Sequence, residues 1–167
     1  MKYQTTPLFS IPLFYANLGT IDPLTMAWIE KLDYPDEAAG HEHTEDKYIL
    51  NAPKLAGLKT QIQEACNVFV KEELKVNDDV VFELQNSWIN KHSKGESNSL
   101  HWHSNAMLSG VYYIKNEPDA GDIVFNKSHL YTNLFHDTVR VSFSEPVQYN
   151  TSEFYISPRS GDIVMFP

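Results

Sequence analysis

The sequence predicts a mainly-β fold with helices confined to its N-terminal part, and three observations carry that expectation. From Val80 onward the residue pattern alternates with a period of two, as strands require. Short apolar runs in this region are separated by turn residues, with no helical pattern between them, the mark of a sandwich or jelly roll. Upstream, Leu55, Leu58, Ile62, Ala65 and Phe69 recur at spacings of 3, 4, 3 and 4, which makes one apolar helical stripe that must bury itself against a neighbouring surface.

The elements follow in order. Leu8 to Tyr15 reads as an opening strand. Asp22-Pro23 supplies an N-cap followed by a proline at the first helical position, and Met26, Ile29 and Leu32 line one side of a short helix running to about Leu32. Tyr34 to Asp46 is polar and reads as a loop, with His41-Glu42-His43 as solvated surface. The stripe from Leu55 to Phe69 is the second helix. Strands are then expected at Phe82–Asn90, Met107–Ile114, Asp122–Phe125, Val139–Phe143, Glu153–Ile156 and Asp162–Phe166. Turns fall at Lys94-Gly95, Glu117 to Gly121, Glu145-Pro146 and Pro158 to Gly161. Gly-Asp-Ile-Val occurs twice, from Gly121 and from Gly161, and predicts two turn-to-strand passages of similar shape.

At 167 residues the chain is expected to be one domain (1–167), with 1–79 as strand and supporting helices and 80–167 as the β core. A formal charge of −9 argues against a nucleic-acid backbone as the main partner, since phosphate binding needs a basic face. The single cysteine, Cys66, excludes an internal disulfide framework and suits a reducing cytoplasm. Without a long apolar run, a membrane partner is not expected. The expectation is a soluble cytoplasmic protein.

Chemistry concentrates at His101-Trp102-His103. Two histidines two apart on a strand project from the same face, so both imidazoles can reach one metal ion. The pair follows a polar loop and precedes the apolar run from Met107, where a barrel mouth meets its wall. The bland alternative is an H-x-H arising by chance among seven histidines.

Trp88-x-Asn90, Lys94-Gly95, Asn98, His101-Trp102-His103, Asn105 and Leu108-Ser109-Gly110-Val111-Tyr112-Tyr113-Ile114 stand in an order that resembles an iron(II)/2-oxoglutarate oxygenase family found mainly in phages and marine bacteria. Leu8-Phe9-x-x-Pro12-Leu13 and the closing Gly161 to Pro167 are similar to features of that family too. The resemblance implies a double-stranded β-helix (jelly roll, cupin-like) packed on helices, and a non-haem dioxygenase that binds Fe(II), 2-oxoglutarate and dioxygen and hydroxylates an unknown primary substrate. For a phage protein the compartment would be the host cytoplasm. His101 matches the first iron ligand. His103 stands where the wider superfamily has a carboxylate, leaving the iron centre one unit more positive. Tyr113 matches the tyrosine that donates to the distal carboxylate of 2-oxoglutarate, its alternative being packing with an edge hydrogen bond. Asn90 is a second cofactor-facing candidate, against the reading of an ordinary polar strand residue.

The resemblance also implies a third histidine and an arginine or lysine after the Gly161 strand. Neither stands between Gly161 and Pro167. His129, His136 and Arg140 are read as surface residues. The expected resolution is a natural protein that continues beyond Pro167; a second chain, as in a homo-oligomer, is the other way to complete the sheet. Two other functions stay open. One is a non-catalytic jelly-roll binding or structural module, such as a phage-particle component with an incomplete metal site. The other is a cupin-like metal enzyme that uses three histidines without 2-oxoglutarate.

Overall fold

The computed structural model describes residues 1–7, 10–37, 41–127 and 142–167. Among them the order is β1 (Phe14–Asn17), α1 (Pro23–Ile29), β2 (Asp36–Glu37), β3 (His41–His43), two short 3-10 turns (Ile49–Asn51 and Pro53–Leu55), α2 (Ala56–Val68) continued by a π turn (Phe69–Glu73), then β4 (Asn90–Lys91), β5 (Ser109–Tyr112), β6 (Ile123–Asn126), β7 (Glu153–Ile156) and β8 (Asp162–Phe166). The fold is mostly β with helices in the N-terminal part. The strands form small open sheets rather than a closed barrel: β1-β8-β5 and β2-β3-β4, each three-stranded, and the ribbon β6-β7.

The helices form where their sequences favour them. Asp22 caps α1, its Oδ1 accepting from the backbone N–H groups of Leu24 (2.9 Å) and Thr25 (3.0 Å), and Pro23 stands at the first helical position, where a missing N–H costs nothing. The helix ends at Ile29, earlier than the expected Leu32; turn bonds from Lys31 and Leu32 N–H groups to Trp28 and Ile29 carbonyls close it. In α2 the predicted stripe is the buried face: Leu55, Ile62, Ala65 and Phe69 are buried and Leu58 is half-buried.

That stripe meets the central strand β8. Ile62, Ala65, Cys66, Phe69 and Val70 pack with Ile163 and Met165, with Phe14 and Ala16 of β1 at the margin. β8 pairs antiparallel with β1 (Ala16 opposite Ile163) and with β5 (Tyr112 opposite Ile163). On its other face Phe166 meets Phe125 of β6 edge-on at 4.9 Å between ring centroids, so β8 is covered on both sides. A second core joins Ile29, Ile49, Leu55 and Ile89.

Three expectations need correction. Tyr34 to Asp46 is not all loop, because β2 and β3 lie within it. The strand expected over Phe82–Asn90 is reduced to β4, with one isolated bridge between Tyr48 and Ser87. Phe82 and Leu84 do turn inward while Val81, Glu83 and Gln85 are exposed, so the alternation is real. Among the described residues they have no partner strand. The Gln63 side chain takes that place, its Nε2 donating to the Phe82 carbonyl (2.8 Å) and its Oε1 accepting from the Leu84 N–H (3.3 Å). Of the strand expected at Val139–Phe143, residues 139–141 lie outside the described residues, and Ser142 and Phe143 are not in a strand. Of the opening strand expected over Leu8 to Tyr15, Leu8 and Phe9 also lie outside the described residues, Ser10 to Leu13 are not in a strand, and β1 starts only at Phe14.

The two Gly-Asp-Ile-Val segments do share a shape. Gly121 and Gly161 have φ of 107° and 88°, a region open to glycine, and each stands within two residues of the start of a strand.

Candidate functional site

The loop that carries the H-x-H leaves β4 at Lys91 and returns to the sheet at Ser109. Gly95 (φ 90°) turns it early, with a Glu96 N–H to Ser93 carbonyl bond of 3.1 Å, and Asn105 (φ 65°) turns it after the histidines, a role asparagine tolerates better than most residues. His101 and His103 are both exposed in this loop, not on a strand. Their rings nonetheless face each other edge-on, 5.1 Å between centroids. His101 Nδ1 lies 2.8 Å from the Ser99 carbonyl. A carbonyl only accepts, so Nδ1 carries the proton and Nε2 keeps its lone pair for a ligand. His103 packs on Trp88, 5.7 Å between ring centroids.

Trp88 belongs to the stretch that ends in β4. Ile89 points into the core, anchored by Thr44, whose N–H donates to the Ile89 carbonyl (3.0 Å) and whose Oγ accepts from the Ile89 N–H (3.1 Å). Trp88 and Asn90 flank it and are both exposed. Asn90 sits opposite His43 in the β3–β4 register, and directly opposed residues share a face. His43 is therefore no solvated histidine: it is buried, in β3, with the Lys47 ammonium 2.9 Å from its Nδ1. Lys47 in turn lies 5.5 Å from the centroid of the Trp88 ring. The face thus gathers His43, Lys47, Trp88, Asn90 and His103. His43 and Lys47 were missed in sequence because their polar neighbours hide a strand whose partner lies far along the chain, His43 pairing with Asn90, 47 positions on.

Tyr113 lies elsewhere, just past β5, where its N–H donates to the Asp162 carbonyl (2.8 Å) and its carbonyl accepts from the Gly161 N–H (2.7 Å). Burial, and then the neighbouring Tyr15 hydroxyl, pushes the Tyr113 phenol up to about 12, so it stays protonated and able to donate. The adjacent Tyr112 hydroxyl donates to the Gly19 carbonyl at 2.6 Å, a structural use of that side chain.

Beside Tyr113, the buried Asp162 carboxylate accepts from the Tyr15 hydroxyl, from Asn17 Nδ2 (2.7 Å) and from the Arg159 N–H (2.6 Å). Burial pushes this carboxyl up, but the three donors outweigh it and hold it below the ordinary carboxylate range. Such a saturated carboxylate ties β1 to the Pro158–Gly161 turn and has little lone-pair capacity left for a ligand.

A metal ion needs more donors than the histidine pair provides. His101 and His103 fit as two imidazoles of an iron centre, with the His101 tautomer set for Nε2 ligation; among the described residues no group of three His, Cys, Asp or Glu side chains comes together. His129, His136 and Arg140 lie outside the described residues. No helix among the described residues is long and apolar enough to cross a membrane.

No curated protein matches the chain. The model of a family described as "Putative 2OG-Fe(II) oxygenase" matches residues 86–167, a segment that opens just before Trp88 and contains His101, His103, Tyr113 and the whole of β5 to β8. Over that segment, just under half of the chain, the sequence is similar to this family, whose description implies Fe(II) and 2-oxoglutarate.

Proposed function

We propose that this protein is a non-haem Fe(II)/2-oxoglutarate-dependent dioxygenase that hydroxylates its primary substrate, with His101 and His103 as iron ligands. The observation that carries this reading is the facing imidazole pair, 5.1 Å apart and with His101 Nδ1 committed to the Ser99 carbonyl, inside the family-matched segment. Iron(II) with 2-oxoglutarate supplies, when bound, the activation of dioxygen and the oxidising power that side chains alone lack. The chain's own residues orient and hold. Ser99 fixes the His101 ring and tautomer, and Trp88 covers one side of His103. Tyr113, protonated at neutral pH, is the proposed donor to the distal carboxylate of 2-oxoglutarate, and Asn90 a proposed polar contact on the Trp88 face. The sheet β1-β8-β5, with β6-β7 meeting it at Phe166, supports reading the fold as part of a double-stranded β-helix.

Anaerobic titration with iron(II) and 2-oxoglutarate tests the reading. A weak visible charge-transfer band is expected, and His101→Ala should weaken iron binding by more than about 100-fold, beyond what loss of an outer hydrogen-bond partner gives. A band that survives unchanged in His101→Ala, or no band in the wild-type protein, overturns it. Iron binding with no 2-oxoglutarate-dependent change would instead point to a cupin-like site.

A further inference from the structure

Lys47 and Lys91 make an instructive pair. Each ammonium lies 5.5 Å from the centroid of an aromatic ring, Lys47 over Trp88 and Lys91 over Tyr34. Lys91 is neutralised by Glu42, 3.0 Å away across the β3–β4 register. Lys47 has no such neighbour: among the described residues no carboxylate lies within ion-pair distance of it. Its contacts are the His43 ring, with Nδ1 at 2.9 Å and Nε2 at 3.4 Å, the Thr44 carbonyl at 3.5 Å, and the Trp88 face. These orient an ammonium without supplying an anion.

A half-buried cation whose partners carry no full negative charge keeps most of its attraction for one. Its position makes that attraction useful. Lys47 and His103 both neighbour the Trp88 ring, at 5.5 Å and 5.7 Å from its centroid, so an anion held by the ammonium lies near the histidine pair. A chain of charge −9 repels anions at long range, so a local cation on this face selects where an anion settles.

We propose that Lys47 is an oxyanion-binding residue on the Trp88 face, and that the primary substrate carries a carboxylate or phosphate that it holds. The purpose assigned to the site rests on the oxygenase reading; its existence does not, and the test is made without iron.

Metal-free protein is titrated with sodium phosphate and, separately, with sodium acetate, at constant ionic strength set by sodium chloride. The Trp88 indole N–H is followed by proton–nitrogen NMR and the Lys47 terminal methylene by proton–carbon NMR. A saturable shift with Kd on the order of 1 mM is expected in at least one arm. The responding arm identifies the anion. Binding should weaken by about tenfold or more in Lys47→Gln, persist in Lys47→Arg and be unchanged in Lys91→Gln. Shifts that rise without saturating in both arms, or equal binding in Lys47→Gln, overturn the proposal. Should Lys47→Gln lose its amide dispersion, Lys47→Met keeps the stem against Trp88, and a Lys47 methylene that does not move in the wild-type protein is decisive against it.

Discussion

Asp162 shows how one side chain can be conspicuous in sequence and still serve the fold. It stands in the second Gly-Asp-Ile-Val segment, and its carboxylate accepts from Tyr15, Asn17 and the Arg159 N–H. Replacing it with asparagine turns one acceptor into a donor facing donors, at an expected cost of about 1–3 kcal/mol. The pH dependence follows from the sign of its shift. A carboxyl held below its ordinary value contributes stability that is present above the ordinary range, near about pH 4, and lost as pH falls through the folded value. Urea unfolding of both proteins between about pH 6 and about pH 2 should therefore show a shallower acid loss in Asp162→Asn. Parallel curves would remove the carboxylate from this role. His43 teaches the reverse lesson. It was legible as half of an H-x-H but not as a buried residue, because burial of a short polar strand depends on what lies across from it.

At the scale of elements, the two Gly-Asp-Ile-Val passages separate backbone conformation from space. Both glycines take positive φ, so alanine at either is strained by about 1–2 kcal/mol. Around Gly121 there is open room, whereas a Cβ on Gly161 would lie 2.7 Å from the Gly19 carbonyl carbon and 2.8 Å from its oxygen. That contact is backbone against backbone, next to the Leu18 N–H to Gly161 carbonyl bond of 2.8 Å that closes the β1–β8 ladder. Gly161→Ala is accordingly expected to lose about 3–4 kcal/mol in chemical denaturation, clearly more than Gly121→Ala. Equal losses would mean the Gly19 loop yields. The unpaired stretch at Phe82 and Leu84 belongs to this scale too. Its alternation was readable, but alternation records which face is buried, not whether a neighbouring strand exists.

Across the whole molecule, the packing that unites N-terminal helix and C-terminal strand runs through Phe69. It is 1% exposed, its ring lies 5.3 Å from that of Phe14, and it packs in the same core as Ile163 and Met165. Phe69→Ala is expected to cost about 3–5 kcal/mol, and far- and near-ultraviolet circular dichroism should still report one coincident transition at a lower midpoint. Two separated transitions would show that the helices and the β1-β8-β5 sheet fold independently. The sequence by itself determined the features whose causes are local: the cap at Asp22, the 3-and-4 stripe on α2, the glycine turns before β6 and β8, the alternation at Phe82 and Leu84, and the H-x-H pair. Each depends on dihedral preference or on spacing within a few residues. Only the tertiary structure decided that β3 pairs with β4, that a Gln63 amide stands in for a strand, and that Lys47 and His43 share a face with Trp88 and His103. Those depend on which distant backbone groups meet, and hydrogen-bonding groups common to every residue leave no mark of their partner in the sequence.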